Sequence, residues 1–241
     1  MKLTGRVALI TGASHGLGLA IARELAAEGA TLALISRAGE ALERAAAELA
    51  ASGAAAAAFP ADVSSSAEVD RAVRAIVERW GRIDIVVLNA GTWQGAPLTE
   101  TDEAMWDRLI DLNLKGAFLT LKAAVPWLIA QRGATVVGIC SLGGWVGQPG
   151  SSAYAASKWG LRGLLESAAL ELKPHRVRVS IVSPHNMNSA GRPIAPDSEE
   201  RDQNLEPSEV AGLVAWICTA PDHVSVGNAT IWPLSAGIRG R

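Results

Sequence analysis

The chain has 241 residues, 22 of them basic and 24 acidic, for a formal net charge of −2. This length suits one α/β domain with a substantial core, and the balanced charge gives no reason to expect a nucleic acid partner. Cys140 and Cys218 are the only cysteines, and both have apolar neighbours, so we expect neither a disulfide framework nor a metal site.

The N-terminus runs directly into a short apolar strand and shows no apolar core of a secretory signal. No apolar run approaches the roughly 20 residues that a membrane span needs. We therefore expect a soluble cytoplasmic protein with no membrane partner.

Short aliphatic and β-branched runs alternate with longer segments of helical periodicity. Helices are predicted over 18–28 and 154–173, and the alanine-rich segment 41–58 is predicted as an exposed helix followed by a turn. The predicted strands are 6–11, 31–36, 84–89, 134–140 and 177–182. This alternation predicts an α/β fold with a doubly wound parallel sheet (Rossmann-type), as a single domain over 1–241.

A glycine-rich turn, T-G-A-S-H-G-L-G, follows the first strand directly. A turn from strand to helix lets backbone amides and the helix N-terminus face a pyrophosphate. The spacing, T-G-x-x-x-G-x-G, differs from the G-x-G-x-x-G fingerprint, and a turn without a ligand stays open as an alternative. The dinucleotide contacts expected here are Gly12, Ser14, His15, Gly16, Leu17 and Gly18.

Ser36 and Arg37 follow the second strand, where an acidic side chain would select NAD(H). A hydroxyl followed by a guanidinium favours binding of the 2′-phosphate of NADP(H), since arginine presents a planar fork of donors that matches phosphate oxygens. His15 is expected near the same phosphate. We therefore predict NADP(H) in preference to NAD(H), with a solvated surface role for Arg37 as the alternative.

Tyr154 and Lys158 stand four residues apart in a helical segment, and Ser141 ends an apolar strand at the sheet edge where ligands bind. An isolated phenol titrates near about pH 10 and needs a cation to exchange protons at neutral pH. At about 4 Å one positive charge stabilises a phenolate by roughly 4 kcal/mol. A packed tyrosine with an exposed lysine is the alternative, but the combination with the glycine turn favours carbonyl–alcohol chemistry.

In these motifs the chain resembles the short-chain dehydrogenase/reductase family over nearly its full length, including its 3-oxoacyl-carrier-protein reductase-like members. The order and spacing of the motifs are together highly specific. The matching pieces are Thr11 to Gly18, Asp62-Val63, Asn89-Ala90-Gly91, Asn113, Ser141, Tyr154 with Lys158, and Pro184.

The resemblance implies that Tyr154 protonates the carbonyl oxygen, that Ser141 orients this oxygen, and that Lys158 also holds the nicotinamide ribose. Asn113 matches the position that retains a water, as part of a proton path from Lys158 to solvent. A helix-interior amide bonded to backbone is the alternative for this residue. Asp62 and Val63 are implied to touch adenine, and the remaining implied cofactor contacts are Asn89, Ala90, Gly91, Pro184, Met187 and Ser189.

The chain departs from the family pattern at Leu88, where an asparagine is frequent, and more notably at His185 and near the C-terminus. His185 replaces the usual glycine after Pro184, which costs free energy if a positive φ is needed there. The sequence leaves two roles open for His185, which are contact with the substrate and a position that faces solvent. The C-terminal run Pro233-Leu234-Ser235-Ala236-Gly237 lacks the usual aspartate and glycine pair, so subunit contacts at that end are expected to differ.

Trp93 and Trp145 are candidates for the border of the substrate crevice, together with His185, and they favour an apolar or aromatic substrate. Ordinary burial or a subunit interface is the alternative for both tryptophans. The segment at about 185–206 resembles a short substrate loop, which suggests an open site.

Trp127, Trp159 and Leu164 lie on segments that pair across a two-fold axis in relatives. We therefore expect a homotetramer or a homodimer, unless these side chains face their own sheet.

The function predicted from these residues is that of an NADPH-dependent carbonyl reductase (ketoreductase) acting on a ketone or a 3-oxoacyl thioester. An NAD(P)+-dependent alcohol or polyol dehydrogenase and a non-catalytic dinucleotide sensor are the alternatives. The intact set of Asn113, Ser141, Tyr154 and Lys158 argues against a sensor.

Overall fold

A computed structural model describes residues 1–37, 39–188 and 201–235. These residues form one seven-stranded sheet in the order β3-β2-β1-β4-β5-β6-β7, and every neighbouring pair is parallel. The strands are β1 (Val7–Thr11), β2 (Thr31–Ser36), β3 (Ala56–Pro60), β4 (Ile85–Leu88), β5 (Thr135–Ile139), β6 (Arg178–Pro184) and β7 (Asn228–Ile231).

Helices cover both faces of this sheet. One hydrophobic cluster joins the sheet to α3, α5 and α6, and a second joins it to α1, α2 and α7. The predicted doubly wound fold is therefore confirmed. The helices are α1 (Gly16–Ala27), α2 (Glu40–Ala51), α3 (Ser66–Trp80), α4 (Glu103–Ile110), α5 (Gly116–Ile129), α6 (Ser152–Leu172) and α7 (Pro207–Thr219).

The predicted helix and turn over 41–58 were wrong at their C-terminal end, where β3 begins. Helix α2 ends at Ala51, and Gly53 follows with φ +90. Along β3 the alternate residues Ala57 and Phe59 are buried, and the strand pairs with β2. Alanine has too small a side chain to show this alternation in the sequence, so the strand was missed.

The sheet order changes direction between β1 and β4, which places a crevice at the carboxyl ends of these two strands. The glycine turn follows β1, the residues 89–91 follow β4, and Ser141 comes two residues after β5. The fold thus brings three predicted parts of the site to one sheet edge. In the described part of the chain, no helix combines the length and apolar character needed to cross a membrane.

Candidate active site

The glycine turn forms a narrow backbone cradle. Gly12 has φ +66, and a Cβ on Gly18 would lie 2.2 Å from the carbonyl oxygen of Gly12, so a larger residue does not fit at Gly18. A Cβ on Gly16, where α1 begins, would contact nothing. Since no side chain caps α1 and its first turn has no acidic residue, its N-terminus suits an anionic ligand.

Thr11 and Asn89 tie this cradle to the turn after β4. The Thr11 hydroxyl accepts from the backbone nitrogens of Asn89 and Ala90, both at 3.0 Å, and donates to Val87 O at 3.2 Å. The Asn89 amide donates to the carbonyl oxygens of Thr11 and Gly12 at 2.9 and 3.3 Å. Four hydrogen bonds therefore join the two predicted cofactor segments.

Three polar side chains meet beside the cradle. Ser14 Oγ lies 2.9 Å from His15 Nδ1 and 3.2 Å from Ser36 Oγ. Arg37 is exposed next to this cluster in the chain. Because two hydroxyls, an imidazole and a guanidinium all bind phosphate oxygens, this composition fits the 2′-phosphate of NADP(H).

The two predicted adenine contacts differ in their surroundings. The hydroxyl and backbone N–H of Ser64 both donate to Asp62, which lowers the pKa of this carboxyl, and the charge of Arg37 lowers it further. Val63 is buried, and its side chain lies against Gly116. The Val63 side chain is therefore held in the core, and its adenine contact stays a prediction.

Tyr154 and Lys158 lie near the start of α6. Lys158 is 5 % exposed, donates to Ile139 O at 3.0 Å, and has its Nζ 5.9 Å from the centre of the Tyr154 ring. An ammonium group has three donors, and the described part of the chain supplies one acceptor, so two donors are left for a cofactor ribose and a water. A buried lysine with unused donors fits the predicted role better than the exposed lysine of the alternative.

Ser141 and Tyr154 flank the same glycine. A Cβ on Gly143 would lie 3.0 Å from Tyr154 Cε1 and 3.6 Å from Ser141 Oγ. Ser141 Oγ accepts from Gly143 N at 3.1 Å, which leaves the hydroxyl proton available for donation. The two groups expected to contact a carbonyl oxygen are therefore close neighbours.

Asn113 is fully buried in a π-helical segment, Asp111–Lys115, between α4 and α5. Its amide accepts from Thr92 N at 2.8 Å and donates to Thr92 O and Ser157 Oγ, both at 3.0 Å. Both N–H donors of the amide are thus used, and the bonds to Thr92 are of the backbone type that the alternative for Asn113 predicted. A water at this position would have to be held by the remaining lone pair or by the backbone that the π segment widens.

A sequence model described as short chain dehydrogenase matches residues 6–198. The chain belongs to the short-chain dehydrogenase/reductase family. It is 32 % identical to an uncharacterized oxidoreductase of Staphylococcus epidermidis, over 97 % of this chain and 99 % of the relative.

Solved structures of the family agree with this fold. A metagenomic short-chain oxidoreductase in complex with NADP is 38 % identical, with a TM-score of 0.85 over 97 % of this chain and 99 % of that one. An alcohol dehydrogenase from the archaeon Thermococcus sibiricus, complexed with 5-hydroxy-NADP, is 32 % identical, with a TM-score of 0.89 over 95 % of this chain and 97 % of that one. The chain is thus an oxidoreductase of this family by both sequence and fold.

Trp93 and Trp145, the two tryptophans predicted to border the substrate crevice, occupy different surroundings. Trp93 is 65 % exposed and borders an apolar groove with Leu98 and Pro149. Trp145 is half-buried, and its indole nitrogen donates to Ser183 Oγ at 2.9 Å. Of the two, Trp93 has the more exposed ring.

His185 has no positive φ, since Arg176 is the one non-glycine residue with such a φ among the described residues. The strain anticipated for histidine at the family's glycine position is therefore absent. The His185 backbone donates to Ile231 O at 2.9 Å, and Nδ1 is buried without a partner in the described part of the chain. Burial lowers the pKa of this imidazole, which favours its neutral form.

Other predicted residues after β6 are described only in part. Pro184 is buried at the end of β6, and Met187 forms a parallel bridge with Leu205. Ser189, residues 189–200 of the predicted substrate loop, and Ala236 and Gly237 of the C-terminal run lie outside the described residues.

Helices α5 and α6 present apolar side chains on the surface. Trp159 is 49 % exposed, whereas Trp127 and Leu164 are partly buried against the core of their own chain. Leu164 also lines a groove between the two helices together with Phe118 and Val125. Trp127 and Leu164 thus pack partly against their own chain, and both the subunit interface and its alternative stay predictions.

Several residues that hold the predicted ones in place were not predicted from the sequence. Thr92 and Ser157 bind Asn113, while Arg162 and Ser183 contact Trp145. Arg162 follows Lys158 by four residues, and this spacing was the one available sign that it belongs to the same helical face.

Proposed function

We propose that this protein is an NADPH-dependent carbonyl reductase that converts a ketone or a 3-oxoacyl thioester into an alcohol. The observation that carries the proposal is the convergence of Ser141, Tyr154 and Lys158 beside the glycine cradle. Family membership supports the oxidoreductase chemistry.

A bound NADPH supplies the hydride for this reaction. Tyr154 donates its proton to the carbonyl oxygen, and the hydroxyl of Ser141 donates a hydrogen bond that orients this oxygen. The buried ammonium of Lys158 stabilises the resulting phenolate and would hold the nicotinamide ribose through a second donor. A proton returns to Tyr154 along a path past Lys158 and the Asn113 segment.

The preference for NADPH rests on the cluster of Ser14, His15 and Ser36 together with the guanidinium of Arg37. Two of the solved relatives were crystallised with NADP or 5-hydroxy-NADP, which agrees with this choice. Charge-assisted hydrogen bonds contribute about 1.5–3 kcal/mol, and the low end suits an exposed arginine, so Arg37→Ala should weaken NADPH binding about tenfold.

Binding titrations with NADPH and NADH test this preference. Arg37→Ala should leave NADH affinity nearly unchanged, and Arg44→Ala, which removes another exposed arginine, should leave both affinities unchanged. If the wild-type protein binds NADH at least as tightly as NADPH, the cofactor assignment is wrong.

The substrate proposal rests on the exposed ring of Trp93 and the apolar groove beside it. NADPH oxidation should be compared with an acetoacetyl thioester, a bulky aromatic ketone and a sugar ketone. We expect the aromatic ketone to give a higher kcat/KM than the sugar ketone, because the groove offers apolar contact and few polar partners.

The same residues catalyse the reverse oxidation of an alcohol, and one solved relative is named an alcohol dehydrogenase. Tight NADPH binding with no turnover in either direction across the panel would favour the sensor alternative.

The assembly that we propose is a homotetramer in the cytoplasm, with a homodimer as the alternative. Exposed Trp159 and the groove lined by Phe118 and Leu164 support burial of α5 and α6 between subunits. Sedimentation velocity at micromolar concentration tests this assembly, and a single monomeric species would contradict it.

A further inference from the structure

We propose that Trp145, held by Arg162 and Ser183, is a positioning residue that fixes the loop of Ser141 against the helix of Tyr154. The inference rests on the proposed carbonyl reduction and assigns a role to residues outside the reacting set. We call the group of Trp145, Arg162, Ser183 and Glu166 the clamp.

One face of the Trp145 ring is covered by a cation. The guanidinium carbon of Arg162 lies 3.5 Å from the ring centre, and Arg162 Nε donates to Glu166 Oε1 at 2.8 Å. The Arg162 side chain is only 23 % exposed. A cation over a tryptophan face is attracted more strongly when it is partly desolvated, so this contact is stronger than one on an open surface.

The edge of the same ring is bound to the sheet. The indole N–H donates to Ser183 Oγ at 2.9 Å, and Ser183 is buried near the end of β6, directly before Pro184. An indole has one N–H donor, and this bond uses it. Trp145 is therefore fixed in both position and orientation by side chains from two different elements.

The clamp shares a helical face with the proton donor. Tyr154, Lys158, Arg162 and Glu166 follow one another at intervals of four in α6, which places them along one side of the helix. Trp145 itself follows Ser141 by four residues along the loop. The clamp therefore ties the loop that begins at Ser141 to the helix that presents Tyr154.

Small movements of this loop change the reactive geometry. Gly143, within the loop, lies against the Tyr154 ring and beside Ser141 Oγ. A displacement of about 1 Å at reacting groups can cost roughly a hundredfold in rate. A loosened clamp would therefore let Ser141 drift relative to the phenol and lower kcat, while the glycine cradle stays intact.

A purely structural role for Trp145 fits the structure less well. The hydrophobic clusters that the described residues form do not include Trp145, and the ring is only half-buried. Its loss should consequently affect the geometry of the loop more than the stability of the fold.

The test compares Arg162→Met with the wild-type protein in turnover, NADPH binding and hydrogen exchange of the backbone over 141–148. Relaxed positioning should lower kcat about fivefold or more and change the NADPH Kd less than about twofold. Amide exchange in this loop should become faster. Arg162→Lys keeps the cation and should recover part of the lost kcat.

Two further variants separate the contacts. Trp145→Phe keeps a ring for Arg162 and should retain more kcat than Trp145→Leu. Arg79→Met, the matched control, breaks a cation–π contact with Trp80 at the end of α3 and should leave kcat unchanged.

Wild-type kcat and unaltered loop exchange in Arg162→Met would overturn the proposal. A kcat loss that appears only together with lower thermal stability and weaker NADPH binding would also overturn it. If the wild-type protein itself reduces no carbonyl, the proposed function fails. Amide exchange over 141–148 then tests the clamp alone: faster exchange in Arg162→Met supports it, and unchanged exchange overturns it.

Discussion

Replacing Asn113 by alanine should loosen the chain at Thr92, directly before Trp93 and near the Lys158 ammonium. The Asn113 amide makes three hydrogen bonds, two to the backbone of Thr92 and one to Ser157. The substitution removes all three and leaves a cavity beside Gly91, next to the Lys158 ammonium.

The expected cost follows from the burial of each partner. A net contribution of about 1 kcal/mol per hydrogen bond gives roughly 3 kcal/mol for the three. Thr92 is exposed, so water can replace part of what its backbone loses. We therefore expect Asn113→Ala to lower the free energy of unfolding by about 2–3 kcal/mol. Ser157→Ala breaks two bonds, the one from Asn113 and one to Tyr154 O, so at the same rate it should cost about 2 kcal/mol.

Urea unfolding at fixed protein concentration measures both variants, and steady-state kinetics with an aromatic ketone measures the consequence for the site. Release of Thr92 should raise KM because Trp93 follows it directly. A loss below about 1 kcal/mol in Asn113→Ala, with unchanged KM, would show that the Asn113–Thr92 bonds do not hold this loop.

Three other changes test separate parts of the structure. Arg178→Met should lower the free energy of unfolding, measured in urea, by about 3 kcal/mol, because buried Arg178 donates to the carbonyls of Ile217 and Ala220 at the end of α7. A change near zero would mean that water can replace the guanidinium at these carbonyls. Burial lowers the pKa of His185, so the free energy of unfolding should fall as pH drops below about 6.5. His185→Asn should make this free energy depend less on pH between about pH 7 and 5, and an equal pH dependence in both proteins would refute this. Trp93→Ala should raise KM for an aromatic ketone about fivefold and spare a sugar ketone, whereas equal effects on both would remove Trp93 from the substrate surface.

Much of the fold was predictable because its strands are continuous aliphatic runs. The strand over 31–36 was confirmed with its predicted bounds, and the others differ by one or two residues at their ends. The strand Ala56–Pro60 was missed because an alanine run has no pattern that distinguishes helix from strand. Its state depends on pairing with β2, which is a tertiary effect.

The candidate site was predictable where residues are near each other in sequence or follow a strand end. The glycine turn and the pair of Tyr154 and Lys158 are of this kind. The partners of Asn113 were not predictable, because Thr92 lies 21 residues away and no local pattern links them. The conformation of His185 was expected from a rule about glycine, and the structure accommodates histidine there without a positive φ.

The proton-donating phenol of Tyr154 is tested most directly by Tyr154→Phe, assayed for turnover and for NADPH binding in the same preparation. General acid catalysis contributes about 10²–10⁴ in rate, so kcat should fall by at least about a hundredfold while the NADPH Kd stays within about twofold. Turnover retained within about threefold of wild type would show that another group protonates the carbonyl oxygen and would contradict the mechanism.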